Sequence, residues 1–343
     1  MEVIVVKRTF VALVVIVLFQ CALSRPSAAQ SSTPLPSGCL PKQNLFYPDA
    51  IPIGWFFFSY YPGTYQYVVA ANACSPQEPC HCNDATNPIS LATGDTFIEQ
   101  ADIRIPGLGG GLSLARTWNS TWSSTLSSFQ NGIFGPNWRS TYEQRIVFAT
   151  DNYLKLIKED ATFWSFGASG SSMTSWVVVG PANVAATLNT NTSTNSYFTL
   201  TLGNGEQRRF DQTTGNLIAI IDRNGNTTTI AYDSSGRLST VTDPASRTLT
   251  FTYGNSTFTN LATSVSSSVG ISLSYSYDTQ GRLIQVTKPD STTVSFAYDS
   301  GSRITTVTDS NGKVLESHTY DSNNRGLTGS RANGVEAVTI TYP

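Results

Sequence analysis

Three observations predict an all-β fold. Aromatics make up 11% of the 343 residues, and Thr, Ser and Val recur throughout, residues that suit pleated, half-buried strands. Short runs such as "TLTFTY" and "TVSFAY" alternate apolar and polar residues with a period of two. Units ending in Tyr or Phe return at near-constant spacing from residue 203 onward. Helical runs rich in Lys, Glu and Ala are nearly absent.

The chain opens on "MEVIVVKRTFVALVVIVLFQCALSRPSAAQ". Lys7 and Arg8 precede an apolar run from Phe10 to Phe19, and Ser27-Ala28-Ala29 has the small-x-small form of a cleavage site. Residues 1–29 are therefore expected to be a signal peptide, and the protein to be secreted or held at the cell surface or periplasm. A membrane would be met only through this segment, were it uncleaved. Val3 to Leu23 nearly spans a bilayer, but Lys7 and Arg8 interrupt it. Gln20 is not the small residue expected before a lipidated cysteine, so Cys21 is not read as one.

Residues 30–86 carry Cys39, Cys74, Cys80 and Cys82, an even number that an oxidising compartment would pair. Cys80 and Cys82 sit too far apart on an extended chain to bond comfortably with each other. That favours Cys39 pairing with one of them and Cys74 with the other. "CSPQEPCHC" also places His81 among three cysteines, but the spacing matches no common zinc knuckle. No metal and no cofactor are expected. "GWFFFSYYPGTYQYVV" holds too many adjacent aromatics to assign by period; packing against the shell domain is its expected role, with contact to a partner the alternative.

Residues 87–202 read as a β-rich domain. Its "PGLGGGLSL" is followed by no Gly-Lys-Ser/Thr and is flanked by strand patterns, so a mobile hairpin tip is expected and not a phosphate cradle.

Residues 203–343 hold the repeat. Phe210-Asp211, Tyr232-Asp233, Tyr253-Gly254, Tyr277-Asp278, Tyr298-Asp299, Tyr320-Asp321 and Tyr342 are spaced 22, 21, 24, 21, 22 and 22 residues apart. Asp233 to Gly236 and Asp278 to Gly281 put Asp first and Gly fourth in a type I turn. Asp222 to Gly225 and Asp309 to Gly312 do so at the other end of the unit. In "TDPAS" Pro244 sets the turn. Each unit is thus a hairpin. In the second arm, Leu249, Phe251 and Tyr253 share one face, as do Val294, Phe296, Tyr298 and Val338, Ile340, Tyr342. In the first arm, Leu238 and Val241 are three apart, which demands either a bulge or burial on both faces.

"YDSSGRLSTVTDPASRTLTFTY" and "YDTQGRLIQVTKPDSTTVSFAYD" closely resemble the consensus of the RHS, or YD-repeat, family, including Arg237 and Arg282. The resemblance covers about residues 203 to 343. Its signature residues here are Tyr232, Asp233, Gly236, Arg237, Tyr277, Asp278, Gly281, Arg282, Tyr298, Asp299, Tyr320 and Asp321. Arg325-Gly326 in place of Gly-Arg, and His318, read as drift. Asn87 to Ser120 and Phe134 to Ile146 resemble the β-rich domain that commonly precedes such repeats. The family resemblance implies a continuous spiral sheet forming a hollow shell, often around a C-terminal toxin.

Little else suggests chemistry. Charged residues are 13% of the chain and the net charge is -2, so no basic stripe exists to neutralise nucleic-acid phosphates, and no nucleic-acid partner is expected. Asp222, Asn224, Asn226 and Asp233 resemble a calcium loop, but Thr227 stands where such loops need Gly, and the turn explains every residue. His81 and His318 are the only histidines. His318 lies on the strand face of the Tyr ladder, with no catalytic constellation nameable around it. No catalytic residue and no enzyme activity are expected.

The expected function is an exported scaffold or shell-wall segment. About twelve strands at roughly 4.8 Å spacing would span about 60 Å, a wall and not an enclosure. The expected partners are further repeats and a toxin domain of a longer protein. The chain ends on a repeat boundary, so its last strand is expected to present an unpaired edge. The alternative is a module binding cell-surface glycans or proteins through exposed aromatics. Exposure of Phe251, Tyr253, Phe296 and Tyr298 in a row would favour it; burial under a second layer would favour a wall.

Overall fold

A computed structural model describes residues 3–9, 57–61, 64–70, 84–85, 88–148, 153–169, 174–181, 184–191, 196–331, 334 and 336–342. Cys39, Cys74, Cys80, Cys82 and His81 lie outside the described residues, as does most of the expected signal peptide. The chain divides into two compact units, residues 97–312 and residues 1–96 with 313–343.

In the first of these units the repeat region is the far end of a long antiparallel meander. Sixteen strands run from Arg145–Phe148 to Ile304–Asp309, each paired with the next. The outer edge of Arg145–Phe148 meets the turn after Gln207–Asp211, where Ile146 N–H donates to Gly215 O at 2.9 Å. Gly215 has φ +74, and a Cβ there would lie 1.9 Å from Ile146 O. Only glycine allows this approach.

The first-arm question is settled in favour of the bulge. Tyr232 pairs with Leu238 and Ala231 with Thr240, so one residue of the Leu238–Thr242 strand is left over. That extra residue lets Leu238 and Val241 face the same way, and both are buried. Identical register shifts just after Leu283 and Ile304 bury the pairs Leu283/Val286 and Ile304/Val307. The second arms bury Leu249 with Phe251 and Val294 with Phe296 by simple alternation.

The buried face is covered by a second layer. Phe97–Ile105, Leu112–Asn119 and Trp138–Ser140 form a three-stranded sheet with Leu112–Asn119 in the middle. Trp138 meets Phe296 at 5.2 Å between ring centroids, and Phe134 meets Tyr275 at 4.6 Å. The glycine-rich segment is the hairpin tip of this sheet, and it rests on the repeats, with Gly109 beside Pro244 and Asn226.

In the other unit, Val314–Tyr320, Gly326–Arg331 and Glu336–Thr341 continue the hairpin pattern, with the same bulge at Thr319/Tyr320. Two expectations are corrected here. The outer edge of Glu336–Thr341 is paired: Val3–Thr9 adds to it through Val5↔Thr341 and Lys7↔Thr339. Removal of residues 1–29 would take that strand away and leave the edge open. Arg325-Gly326 is also no inversion. Asn324, with φ +64, takes the Gly236 place and Arg325 keeps the arginine place, so Gly326 stands where other units have Leu or Ile.

The turns beside the bulges hold a left-handed residue at their fourth position: Gly236 and Gly281 at φ +75, Ser302 at φ +61 and Asn324 at φ +64. Ser246 and Ser291 hold the same place at φ +62 and +64 in turns at the other end of the unit, where the register does not shift. A side chain is strained in that region. Ser246→Gly, Ser291→Gly and Ser302→Gly are each expected to raise stability by about 0.5–1 kcal/mol in urea unfolding, net of glycine's entropy cost. Gly215→Ala should lower it.

Candidate functional site

The residues that carry the repeat act first on their own turn. Asp233 N–H donates to Arg237 O and Gly236 N–H donates to Asp233 O, both at 2.9 Å, closing the loop. The Asp233 side chain then bridges it: Oδ1 accepts the backbone N–H groups of Ser235 and Arg237, and Oδ2 accepts Arg237 Nε at 2.8 Å. The same Asp-to-Arg lock spans Asp243/Arg247, Asp278/Arg282, Asp299/Arg303 and Asp321/Arg325. The arginine hydrogen bond holds the Asp233 carboxyl below the ordinary aspartate range. At Asp243, Asp278, Asp299 and Asp321 partial burial pushes upward, but hydrogen bonds and arginine charge outweigh it, and these too are lowered.

Three of these arginines also serve the following arm. Arg237 lies 4.5 Å from the Tyr253 ring centre, Arg282 4.9 Å from Tyr298 and Arg325 4.0 Å from Tyr342. The tyrosine hydroxyls reach back across the sheet. Tyr232, Tyr253, Tyr277 and Tyr298 donate to the carbonyls of Leu217, Leu238, Ala262 and Leu283 at 2.7–2.9 Å. Burial is the main cause that raises the pKa of all four hydroxyls, so they remain protonated donors. Asp, Arg and Tyr thereby tie consecutive hairpins to one another.

Beneath this wall lies a buried ion pair that sequence reasoning missed. Arg116, 1% exposed, donates from Nε and NH2 to both oxygens of Asp102, and Tyr275 OH donates to Asp102 Oδ2 at 2.8 Å. The guanidinium sits 4.8 Å from the Trp138 ring centre and 5.4 Å from those of Phe134 and Tyr275. Burial works to lower its pKa, the charge and hydrogen bonds of Asp102 outweigh that, and the net direction is upward. The two layers share this pair, because Asp102 and Arg116 stand on the small sheet and Tyr275 on the repeat sheet. "DIRI" and "LARTW" contain it, but a charged residue at an alternating strand position gives no hint of which partner will bury it.

A cavity of about 920 Å³ opens beside the Tyr232 and Asp233 turn, lined among others by Arg139, Tyr142, Glu143, Arg145 and Phe258. Glu143 accepts Ile133 N–H and Ser140 OH, each at 2.7 Å. Burial raises its pKa, against the opposing pull of Arg139 and these hydrogen bonds.

The other sequence candidates fall as follows. The Asp222 carboxylate is occupied by Asn224 N–H, Asn226 N–H and Asn226 Nδ2, which is the turn reading and not a calcium loop. His318 is buried at 3% exposure, in the inward place that Phe296 holds one unit earlier. Its Nε2 lies 3.4 Å from Glu316 Oε2, and Arg331 Nε lies 3.3 Å from Glu316 Oε1. Glu316 is two residues upstream on the same strand, so period-two spacing could have found it. Of the four aromatics in question, Phe251 and Phe296 are buried, while Tyr253 and Tyr298 are half-buried with their hydroxyls bonded to Leu238 O and Leu283 O. Among the described residues no group of three or more His, Cys, Asp or Glu is placed to hold a metal ion.

Comparison with known proteins follows the same division. Residues 86–166 match a domain of unknown function (DUF6531), and residues 210–248, 232–268, 259–293 and 277–314 match the RHS Repeat. The tRNA nuclease WapA of Bacillus subtilis (strain 168) is 30% identical over 147 residues, 43% of this chain and 6% of that protein. The tRNA(Glu)-specific nuclease WapA of Bacillus subtilis subsp. natto (strain BEST195) matches to the same extent. The chain thus corresponds to a small part of these relatives. Among solved structures, a TcdB2-TccC3-Cdc42 crystal structure aligns at a TM-score of 0.29 and 12% identity, over 68% of this chain and 14% of that one. The Photorhabdus luminescens Tc holotoxin pore, carrying a TccC3 substitution, aligns at 0.28 and 16% identity, over 70% and 12%.

Asp102→Ala, which strands the Arg116 charge, is expected to cost about 3–5 kcal/mol in urea unfolding. The double change Asp102→Leu with Arg116→Met should cost far less, since an apolar pair needs no partner. The turn carboxylates have lowered pKa values, so their contribution is present above the ordinary value of 3.8 and is lost as pH falls through their folded values. Glu143 has the opposite sign: its contribution is present below 4.5 and lost as pH rises through its raised value. Urea midpoints across pH should therefore fall at the acid end in the parent, and Glu143→Gln should remove the loss on the higher side.

Proposed function

Because the chain is an RHS (YD-repeat) protein with the preceding domain in place, we propose that it is an exported wall segment of a toxin-carrying or cell-surface assembly. The observation that carries this reading is where the repeat's polar groups go. The side chains of Asp233, Arg237 and Tyr253, and their equivalents, hydrogen-bond or stack within the array itself. A surface whose signature donors and acceptors are engaged internally offers rigidity, not ligand contacts. Of the aromatic faces that a glycan-binding module would present, Phe251 and Phe296 are buried, and Trp138 of the small sheet lies against Phe296. That weakens the binding-module alternative.

The WapA relatives are named as nucleases, but this chain corresponds to only 6% of their length, so their activity is not carried over to it. The role read here is to hold and shield whatever catalytic domain shares its polypeptide. Export rests on the Lys7/Arg8 and Phe10–Phe19 pattern of the opening segment.

Two measurements test the reading together. Purified chain incubated with total tRNA is expected to leave it intact; cleavage that Glu143→Gln or His318→Ala abolishes would make this chain an enzyme. Limited proteolysis of the natural polypeptide in which these repeats stand is expected to spare any segment the wall shields. Uniform digestion of all other domains ahead of the repeats would overturn the shielding role.

A further inference from the structure

Hairpin 314–331 departs from its neighbours at the two positions that elsewhere build the core. Where other units have Leu238 with Val241, Leu283 with Val286 and Ile304 with Val307, this one has Gly326 and Gly329. Gly326 has no positive φ, so turn geometry does not call for glycine there. Space does. A Cβ on Gly326 would stand 2.4 Å from Thr96 Oγ1 and 2.9 Å from Ile89 Cδ1, and both of those residues are fully buried.

The segment that fills the space is itself a tight hairpin. Ile89 bridges to Thr96, Ser90 N–H donates to Asp95 O, and Gly94 N–H donates to Ser90 O, the latter two at 2.8 Å. Its tip makes a second close approach. Gly94, at φ +77, would with a Cβ lie 2.8 Å from both Arg325 Cβ and Tyr342 OH. Gly326 N–H donates to Gly94 O at 2.8 Å, joining the two glycines backbone to backbone. Ile89 therefore stands where the hairpin's own Leu would be, supplied from more than 200 residues upstream.

We propose that residues 89–96 are a clasp and that the notch at Gly326 is its receptor. The partner that fits is a short turn with a β-branched aliphatic side chain entering the notch and a glycine at its tip. The chain's own segment has both. Hairpins with Leu238, Leu283 or Ile304 at the corresponding place have no such notch, so the clasp selects this hairpin by shape. Closing it ties the start of the β-rich domain to the hairpin that follows the 97–312 unit, without a covalent link.

Hydrogen exchange of the intact chain tests this. Gly326→Leu, which refills the notch, is expected to speed exchange of the amides in 89–96 by about tenfold or more, with hairpins 238–298 unchanged. Ile89→Ala, which removes only the entering side chain, should do the same to a smaller degree and keeps the test available if Gly326→Leu does not fold. Unchanged protection of 89–96 in Ile89→Ala would overturn the proposal. So would equal loss across 238–298, because Ile89 would then be an ordinary core residue and not half of a clasp.

Discussion

A carboxylate that closes a turn is the interaction on which the rest of this structure depends. Asp233 and its equivalents accept two backbone N–H groups and an arginine beside a left-handed fourth residue, and after the turns of Asp233, Asp278, Asp299 and Asp321 the following strand carries one extra residue. Without that bulge, Leu238 and Val241 would face opposite sides and no continuous apolar face could exist. With it, Leu238 with Val241, Leu283 with Val286 and Ile304 with Val307 are presented to the same side. From the second layer, Trp138 covers Phe296.

The same residues provide both local and lateral order. Arginine is tied to aspartate within one turn and stacks on the tyrosine of the next arm, whose hydroxyl returns to the carbonyl beginning the previous one. Planar guanidinium suits this double use, since its edge takes the carboxylate while its face takes the ring. Stability in such an array is expected to be a sum of unit and neighbour terms.

Arg116 and Asp102 play a different part. A buried ion pair is weak evidence of stability, because desolvation offsets much of the attraction. Here it couples the small sheet to one particular repeat, since Tyr275 of that repeat reaches Asp102 while Phe134 and Trp138 close the box. The glycine tip on Pro244 and Asn226 and the cover of Phe296 by Trp138 act in the same direction. The small sheet thus has one position on the array, which a merely apolar contact between two sheets would not define.

The all-β class, the 22-residue hairpin, the turn positions and the inward face of the second arm were legible in the amino-acid order, because turn chemistry and period-two alternation are local. The first arm was legible only as a conflict between Leu238 and Val241, and the register of Ala231 and Tyr232 across the sheet resolved it. Which charges would be buried together, what would cover Phe251 and Phe296, and why Gly326 is glycine were decided by tertiary structure alone. Asp102 meets Tyr275 across 173 residues, and Ile89 meets Gly326 across a longer stretch still. A strand states which side of it is greasy, but the partner that lies against that side is chosen by shape and charge far away in the chain.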